Sequence, residues 1–365
     1  MDDTSLRHAP LEERHRELGA KLAPFGGWLM PIEYQGVLSE HRAVRERVGL
    51  FDLSHLGQVD VAGAGAVALL QGLLTNDVAT IPTGSAQYNL LLNDDGGVEE
   101  DLLVYRLAED RCFVVPNASN TEKVTRTFQA GGADVEVTGH DGRCFLGVQG
   151  PRALEVVGTL FAEAGDLAYL GVAETTFRGE RLVLARTGYT GELGFELFGS
   201  ASSAEELWEE LVEAGDAFLI EPCGLGARDV LRLEMGYPLY GQDLSPDRTP
   251  LEAGLAWAVA MDKGPFRGRD ALVRQRADGA LSRLRGIAMQ DRRHIPRPHH
   301  AVLADGVVVG EVTSGTFSPL LQRGIAMGYL AADRCEPGTA VEVDVRGRRG
   351  PATIVKPPFV DRSPR

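Results

Sequence analysis

The chain has 365 residues and a formal net charge of −15, too long for one hydrophobic core and too acidic for a domain that owes its affinity to nucleic-acid phosphates. A hydrophobic share of 44% and a charged share of 24% are those of a globular protein and exclude disorder, collagen and low complexity. The longest apolar run, around residues 255–261, is far too short to span a bilayer, and Met1 to Pro10 lacks a signal core. Four scattered cysteines (Cys112, Cys144, Cys223, Cys335) show no metal or redox spacing. They read as reduced, mostly buried thiols of a soluble cytoplasmic protein with no membrane partner.

Residues 11–22 have helical spacing, and the stretch Pro24-Phe25-Gly26-Gly27-Trp28-Leu29-Met30-Pro31 is too punctuated for regular structure. Residues 39–48 predict a helix with Ser39 as its N-cap. A strand over 57–61 and a helix over 66–74 come next. Strands over 88–92 and 98–107 flank the turn Asn93-Asp94-Asp95-Gly96-Gly97, and a second short turn leads into 112–115. Strands so closely joined must be antiparallel, because a parallel pair needs a crossover of about a dozen residues. Helices are predicted at 119–129, 151–161, 204–213 and 225–235, with strands at 144–148, 182–186 and 194–197, an α+β arrangement. Residues 283–358 break into short β-rich runs (285–289, 307–312, 325–329, 340–345, 352–355), the pattern of a small antiparallel barrel or sandwich. The chain thus divides into 1–264 (two intertwined α+β subdomains), a basic connecting segment 265–282, and a barrel domain 283–365. From Lys263 to Arg297 ten Lys/Arg stand against three acids. That segment is either a solvated helix and linker or a docking surface for an acidic protein or a polyanionic ligand tail.

Several chemical signals can be set aside. Gly63-Ala64-Gly65-Ala66-Val67-Ala68 follows a strand and opens a helix, like a dinucleotide fingerprint, but an antiparallel hairpin follows where a second parallel strand is required. His294, His299 and His300 lie among prolines and arginines without metal-ligand spacing, so no metal is expected. His55 is a lone histidine. No nucleophile elbow is present, which leaves acyl transfer unsupported.

Three segments remain. Glu99, Glu100 and Asp101 open a strand that is apolar on both faces, and acids are depleted in strands. If both faces are covered, at least one carboxylate is drawn from water, which raises its pKa or demands a partner. With a period of two, Asp101 shares a face with Leu103 and Tyr105. In Arg186-Thr187-Gly188-Tyr189-Thr190-Gly191-Glu192-Leu193-Gly194-Phe195-Glu196, three glycines permit close approach to a flat ligand, and Glu196 could accept paired hydrogen bonds from an amidine-like edge. On the helix over 225–235, Arg228 and Arg232 share a face, and Asp229–Arg232 reads as a helix-surface ion pair or as an arginine beside a ligand.

Taken together, these segments resemble the glycine cleavage T-protein family of aminomethyltransferases. Also carrying the resemblance, in order, are Phe25-Gly26-Gly27-Trp28, Leu50-Phe51-Asp52-Leu53-Ser54-His55-Leu56-Gly57, Val114-Val115-Pro116-Asn117-Ala118, Leu146-Gly147-Val148-Gln149-Gly150-Pro151, the run from Gly224 to Gly241, and Thr313-Ser314-Gly315. The resemblance implies a three-domain cloverleaf around a central folate channel, with a C-terminal β-barrel. It also implies the activity: the methylene of an aminomethyl group on the lipoyllysine of H-protein passes to tetrahydrofolate, and ammonia leaves. Asp101 matches the catalytic carboxylate, which also contacts the folate. Glu196 matches the residue gripping the pterin edge, and Arg228 an arginine beside the folate. Tyr88, Asn117, Tyr189 and Trp257 match channel-lining positions; Val115 and Leu56 match further folate contacts, Leu56 replacing the usual Met. Glu100 and Gln58 depart from the family's usual Asp and Glu. Folate-dependent demethylases and a non-enzymatic folate-binding factor for iron–sulfur and tRNA-modifying enzymes share the fold. The cysteine segment of the latter is missing here, where Lys263-Gly264-Pro265-Phe266 stands.

Overall fold

The computed structural model describes residues 6–132 and 134–364. Its first part holds two large sheets. The hairpin signal is realised in a five-stranded antiparallel sheet ordered Ser85–Leu92, Val98–Ala108, Arg111–Val115, Gln58–Ala62, Glu136–His140. Helices Ala66–Leu73 and Thr121–Gln129 cover its apolar face, where Leu102, Val104, Val114 and Phe128 form a core. The strand Gln58–Ala62 has antiparallel neighbours on both sides. The glycine-rich turn after it is therefore no dinucleotide fingerprint.

The second sheet has six strands, ordered Val172–Phe177, Glu180–Ala185, Gly194–Gly199, Cys144–Gln149, Gly49–Asp52, Glu221–Cys223. Only its last pair is parallel. Helices Ala153–Leu160 and Ala204–Gly215 pack on one face around Leu146, Leu197 and Trp208. Residues 282–355 close into a six-stranded antiparallel barrel, including a strand Ala301–Ala304 too short to be legible in the sequence. All four cysteines are buried and free. Among the described residues no helix is long and apolar enough to cross a membrane.

Three local expectations differ from the structure. The first helix spans only Glu12–Glu17, and Lys21–Phe25 is instead a strand. The punctuated stretch after it is regular after all. Gly26 and Gly27 take φ of 57° and 87° and turn Lys21–Phe25 back onto Trp28–Glu33, a two-residue turn that needs positive φ at both positions. Nor does Ser39 cap its helix, which begins at Val37. Glu40 does that work: its Oε1 accepts the backbone N–H groups of Tyr34 (2.6 Å), Gln35 (3.0 Å) and Gly36 (3.2 Å), and its Oε2 that of Gly224 (2.8 Å). A carboxylate reaching back over the start of its own helix satisfies donors that the helix cannot.

The helix Leu225–Met235 joins the first part to the barrel through charge. Arg232, only 1% exposed, donates to Asp243 (2.8 Å), Asp229 (2.8 Å) and Ser314 Oγ on the barrel strand Val307–Ser318 (2.9 Å). Asp243 accepts further bonds from Leu239 N–H (2.9 Å) and the Thr313 and Ser314 hydroxyls. The expected pair with Asp229 forms, but Arg232 itself is buried and its fully buried partner is Asp243. On the same helix, Glu234 accepts from His41 (2.9 Å), Arg45 (2.8 Å) and Ser318 (2.6 Å). Removing one partner of a buried pair strands the other charge. Asp243→Ala is therefore expected to cost about 3–5 kcal/mol, read as a lowered urea midpoint.

Candidate functional site

A cavity of about 1150 Å³ opens between the two large sheets and the barrel. Leu102 and Tyr105 reach it from the first sheet, Phe145 and Glu196 from the second, and Leu284 and Met327 from the barrel. A deep, mainly apolar cleft with few convergent polar groups is the usual form of a small-molecule site. Asp101, Asn117, Tyr88 and Trp257 line it, as do Glu196, Arg228 and Tyr189, and so do Leu56 and Val115. Every site residue predicted from the sequence therefore faces one space.

The three acids of the Val98–Ala108 strand part company. Leu91 pairs with Glu100 but Leu92 pairs with Val98, so Glu99 is the extra residue of a bulge. Glu99 reaches the surface and pairs with Arg267 at 2.9 Å. Glu100 is fully buried; it accepts Asn117 N–H (2.6 Å), Asn117 Nδ2 (2.7 Å) and Asn120 Nδ2. Asp101 faces the cavity, its Oδ2 accepting Tyr88 OH at 2.9 Å and its Oδ1 Asn117 Nδ2 at 2.9 Å. No cation lies within ion-pairing distance of Asp101 among the described residues. Burial raises the pKa of both carboxyls above the ordinary range; the charge of Asp101 adds to the rise at Glu100, and the Tyr88 and Asn117 donors hold down that of Asp101. Burial and the facing carboxylate push the Tyr88 phenol far up, so it stays a donor. Its ring stacks on Trp257 at 5.4 Å, and Trp257 is 66% exposed.

Glu196 stands on the Gly194–Gly199 strand opposite Gly147. Its Oε2 accepts the Thr187 hydroxyl and Tyr105 OH (3.2 Å), and burial raises its pKa. Arg228 lowers it by attraction, while lying with its guanidinium 4.7 Å over the Tyr189 ring. The glycines of this crossing are required by packing as well, and Gly188 itself lines the cavity. A Cβ on Gly188 or Gly194 would strike the Gln149 side chain, and one on Gly191 would strike Met235. Gly188 and Gly194 make room for a buried Gln149, whose Oε1 accepts Thr190 Oγ1 at 3.0 Å. Thr187 and Asn120, which orient Glu196 and Glu100, were missed, for a hydroxyl or amide in a loop carries no periodic signal. His55 also lines the cavity, held neutral by burial and by Arg228. His294 and His299 pair with Asp291 and Glu311 at 2.9 Å each.

The GCVT N-terminal domain model matches residues 11–263, and the glycine cleavage T-protein C-terminal barrel domain model matches residues 283–361. The chain is 50% identical to an aminomethyltransferase of Frankia alni over 99% of both chains, and 45% identical to one of Mycobacterium leprae over 99% and 98%. Its structure is similar to the crystal structure of the glycine cleavage system aminomethyltransferase T from Bartonella henselae, with a TM-score of 0.93, 36% identity, and coverage of 98% and 99%. The chain is thus an enzyme of one-carbon transfer. It belongs to the glycine cleavage T-protein family and has that family's aminomethyltransferase function, which sets aside the demethylase and non-enzymatic readings.

Tyr88→Phe keeps the ring but removes a donor that favours ionised Asp101. The carboxyl then holds its proton to higher pH, so the acid limb of the pH–rate profile is expected to move upward, with most of the lost rate regained at pH 8–9. An unmoved limb would separate Tyr88 from the titration of Asp101.

Proposed function

We propose that this cavity binds tetrahydrofolate as co-substrate, and that Asp101 is the catalytic carboxylate of transfer from the aminomethyl-loaded lipoyllysine of H-protein. The carrying observation is a pair of carboxylates, Asp101 partly open to the cavity and Glu196 buried beside it, that face one space without an ion-pair partner among the described residues. Carboxylates so placed can accept further donors from a ligand. The residues fit such a ligand. Glu196, oriented by Thr187 and Tyr105, offers paired acceptors to the amino-pyrimidine edge of a pterin. Arg228 and Tyr189 flank that edge, and Tyr88 with Trp257 presents a flat aromatic wall. Leu56 and Val115 add apolar surface, and Asn117 holds Asp101 in place.

Asp101 accepts the amine region of the folate and orients N5 for attack on the methylene. As N5 and N10 bond to that carbon, its C–N and C–S bonds break, and the two N–H protons leave with ammonia and the dihydrolipoyl thiol, Asp101 assisting the proton that ammonia gains. Its Oδ2 is held by Tyr88 OH, so the carboxylate keeps one direction as the proton moves. H-protein and a cytoplasmic setting complete the reading; four buried, unbridged thiols agree with a reducing compartment. The folate supplies the nucleophilic nitrogen; the chain supplies position and charge.

The decisive assay gives the enzyme aminomethyl-loaded H-protein and tetrahydrofolate and follows methylene-tetrahydrofolate and ammonia. Turnover with a methylated small molecule but none with H-protein overturns the reading. Asp101→Asn is expected to bind folate and lose roughly 100-fold or more in rate. Because the folded-state pKa of Asp101 is raised, its ionised form opposes folding, and the stability it contributes at low pH is lost as pH rises through that value. Replacement by Asn should therefore leave the melting temperature at pH 8 no lower than wild type. Glu196→Gln, by contrast, should weaken folate binding roughly 10- to 100-fold by titration calorimetry.

A further inference from the structure

Lys263 opens the basic segment that runs to Arg297, yet it turns its charge inward. The last carbonyls of the helix Ala66–Leu73 have no partner within the helix. The half-buried ammonium of Lys263 answers that end as a tripod, donating to Gln71 O (2.7 Å), Leu74 O (2.5 Å) and Asn76 O (2.8 Å). A cation suits the negative end of a helix dipole, and a compact ammonium meets three carbonyls at once where a planar guanidinium cannot. Further bonds join the same two stretches of chain. Thr75 Oγ1 donates to Ala258 O (2.8 Å), Ala260 N–H to Thr75 O (3.0 Å) and Arg267 N–H to Gly72 O (3.2 Å).

Both stretches reach the large cavity on their other side. Asn76 lines it and donates to Tyr88 O at 3.1 Å, and Trp257 lines it and stacks on the Tyr88 ring. Trp257 is largely exposed and sits in the short helical turn Ala256–Ala258, so its place over Tyr88 depends on how that turn is anchored. Lys263 lies behind this wall, lining a separate hollow with Asp77 and Arg276.

We propose that Lys263 is a positioning residue of the active site: its ammonium clasps residues 256–263 to the turn after the helix Ala66–Leu73 and so holds Trp257 against Tyr88. What the wall does for a ligand rests on the folate reading; the clasp itself does not. Without the ammonium, three carbonyls lose their donor at once. A buried carbonyl left unpaired costs more than the bond it made, and the turn relieves that cost by parting to admit water. Trp257 moves with it.

Lys263→Met, which keeps an unbranched stem without the charge, tests this in the full-length enzyme. Of the three tryptophans Trp28 and Trp208 are buried, so acrylamide quenching reports mainly on Trp257, with Trp257→Phe as the blank. The variant is expected to be quenched more steeply and to emit further to the red. Its KM for tetrahydrofolate is expected to rise roughly three- to tenfold, the share of one aromatic stacking contact, with kcat little changed. Lys263→Arg keeps the charge but not the tripod and should fall between the two; it carries the test if the methionine variant does not fold. Leu330→Ala, in the barrel core, should lower the melting temperature while moving neither quenching nor KM. A Lys263→Met enzyme that melts earlier yet keeps wild-type quenching and KM overturns the proposal, since Lys263 would then only cap a helix. So does a loss confined to kcat, or a rise confined to the KM for loaded H-protein. If quenching changes as expected but wild type shows no turnover that depends on tetrahydrofolate, the clasp stands and the folate reading fails.

Discussion

The structure depends on charges buried along one helix. From Leu225 to Met235, an eleven-residue element presents Arg228 to the cavity, Arg232 to Asp243 and the barrel, and Glu234 to His41 and Arg45. Arg232 and Glu234 are tolerated out of water because several hydrogen bonds meet each of them. Such pairing is directional where apolar packing is not. Slippage of the barrel along the helix would break Arg232 from Ser314 and Glu234 from Ser318 together. The relative placement of barrel and sheets, and so the shape of the cavity between them, follows from these contacts.

The same economy governs the acidic strand. A single bulge at Glu99 lets adjacent acids meet three environments: solvent and Arg267, a nest of asparagine amides, and the cavity. Of the three acids, Glu100 has its solvation replaced most completely, and Asn117 links it to Asp101 by donating to both. The two carboxylates at the cavity stop short of such satisfaction. Asp101 is left with two donors and an open side, and Glu196 with both of its donors on one oxygen.

Legibility in the sequence tracked the range of the interaction. The hairpin over Tyr88 to Tyr105 and the barrel runs were readable because alternation and turn chemistry are local. Asp101 was suspect because acids should avoid a strand apolar on both faces, and Tyr105 was placed on its face by period alone. The hairpin at Gly26-Gly27 was misread as irregular. Prolines normally exclude strands, but Pro24 sits on an edge strand whose missing N–H costs little. Ser39 was misread as a cap because the actual cap, Glu40, lies inside the helix and folds back over it.

The sequence by itself determined the α+β class, the barrel, the family and the identity of the residues that meet in the cavity, since each is encoded in local pattern or in the order of motifs. Only the tertiary structure decided what surrounds them. It gave three neighbouring acids three different environments, paired a buried Arg232 with Asp243, packed the Arg186–Glu196 glycines against Gln149 and Met235, and set Arg285 opposite Lys356. These outcomes join residues tens to hundreds of positions apart, and the pKa and partner of a charge depend on burial and neighbours that no local pattern records.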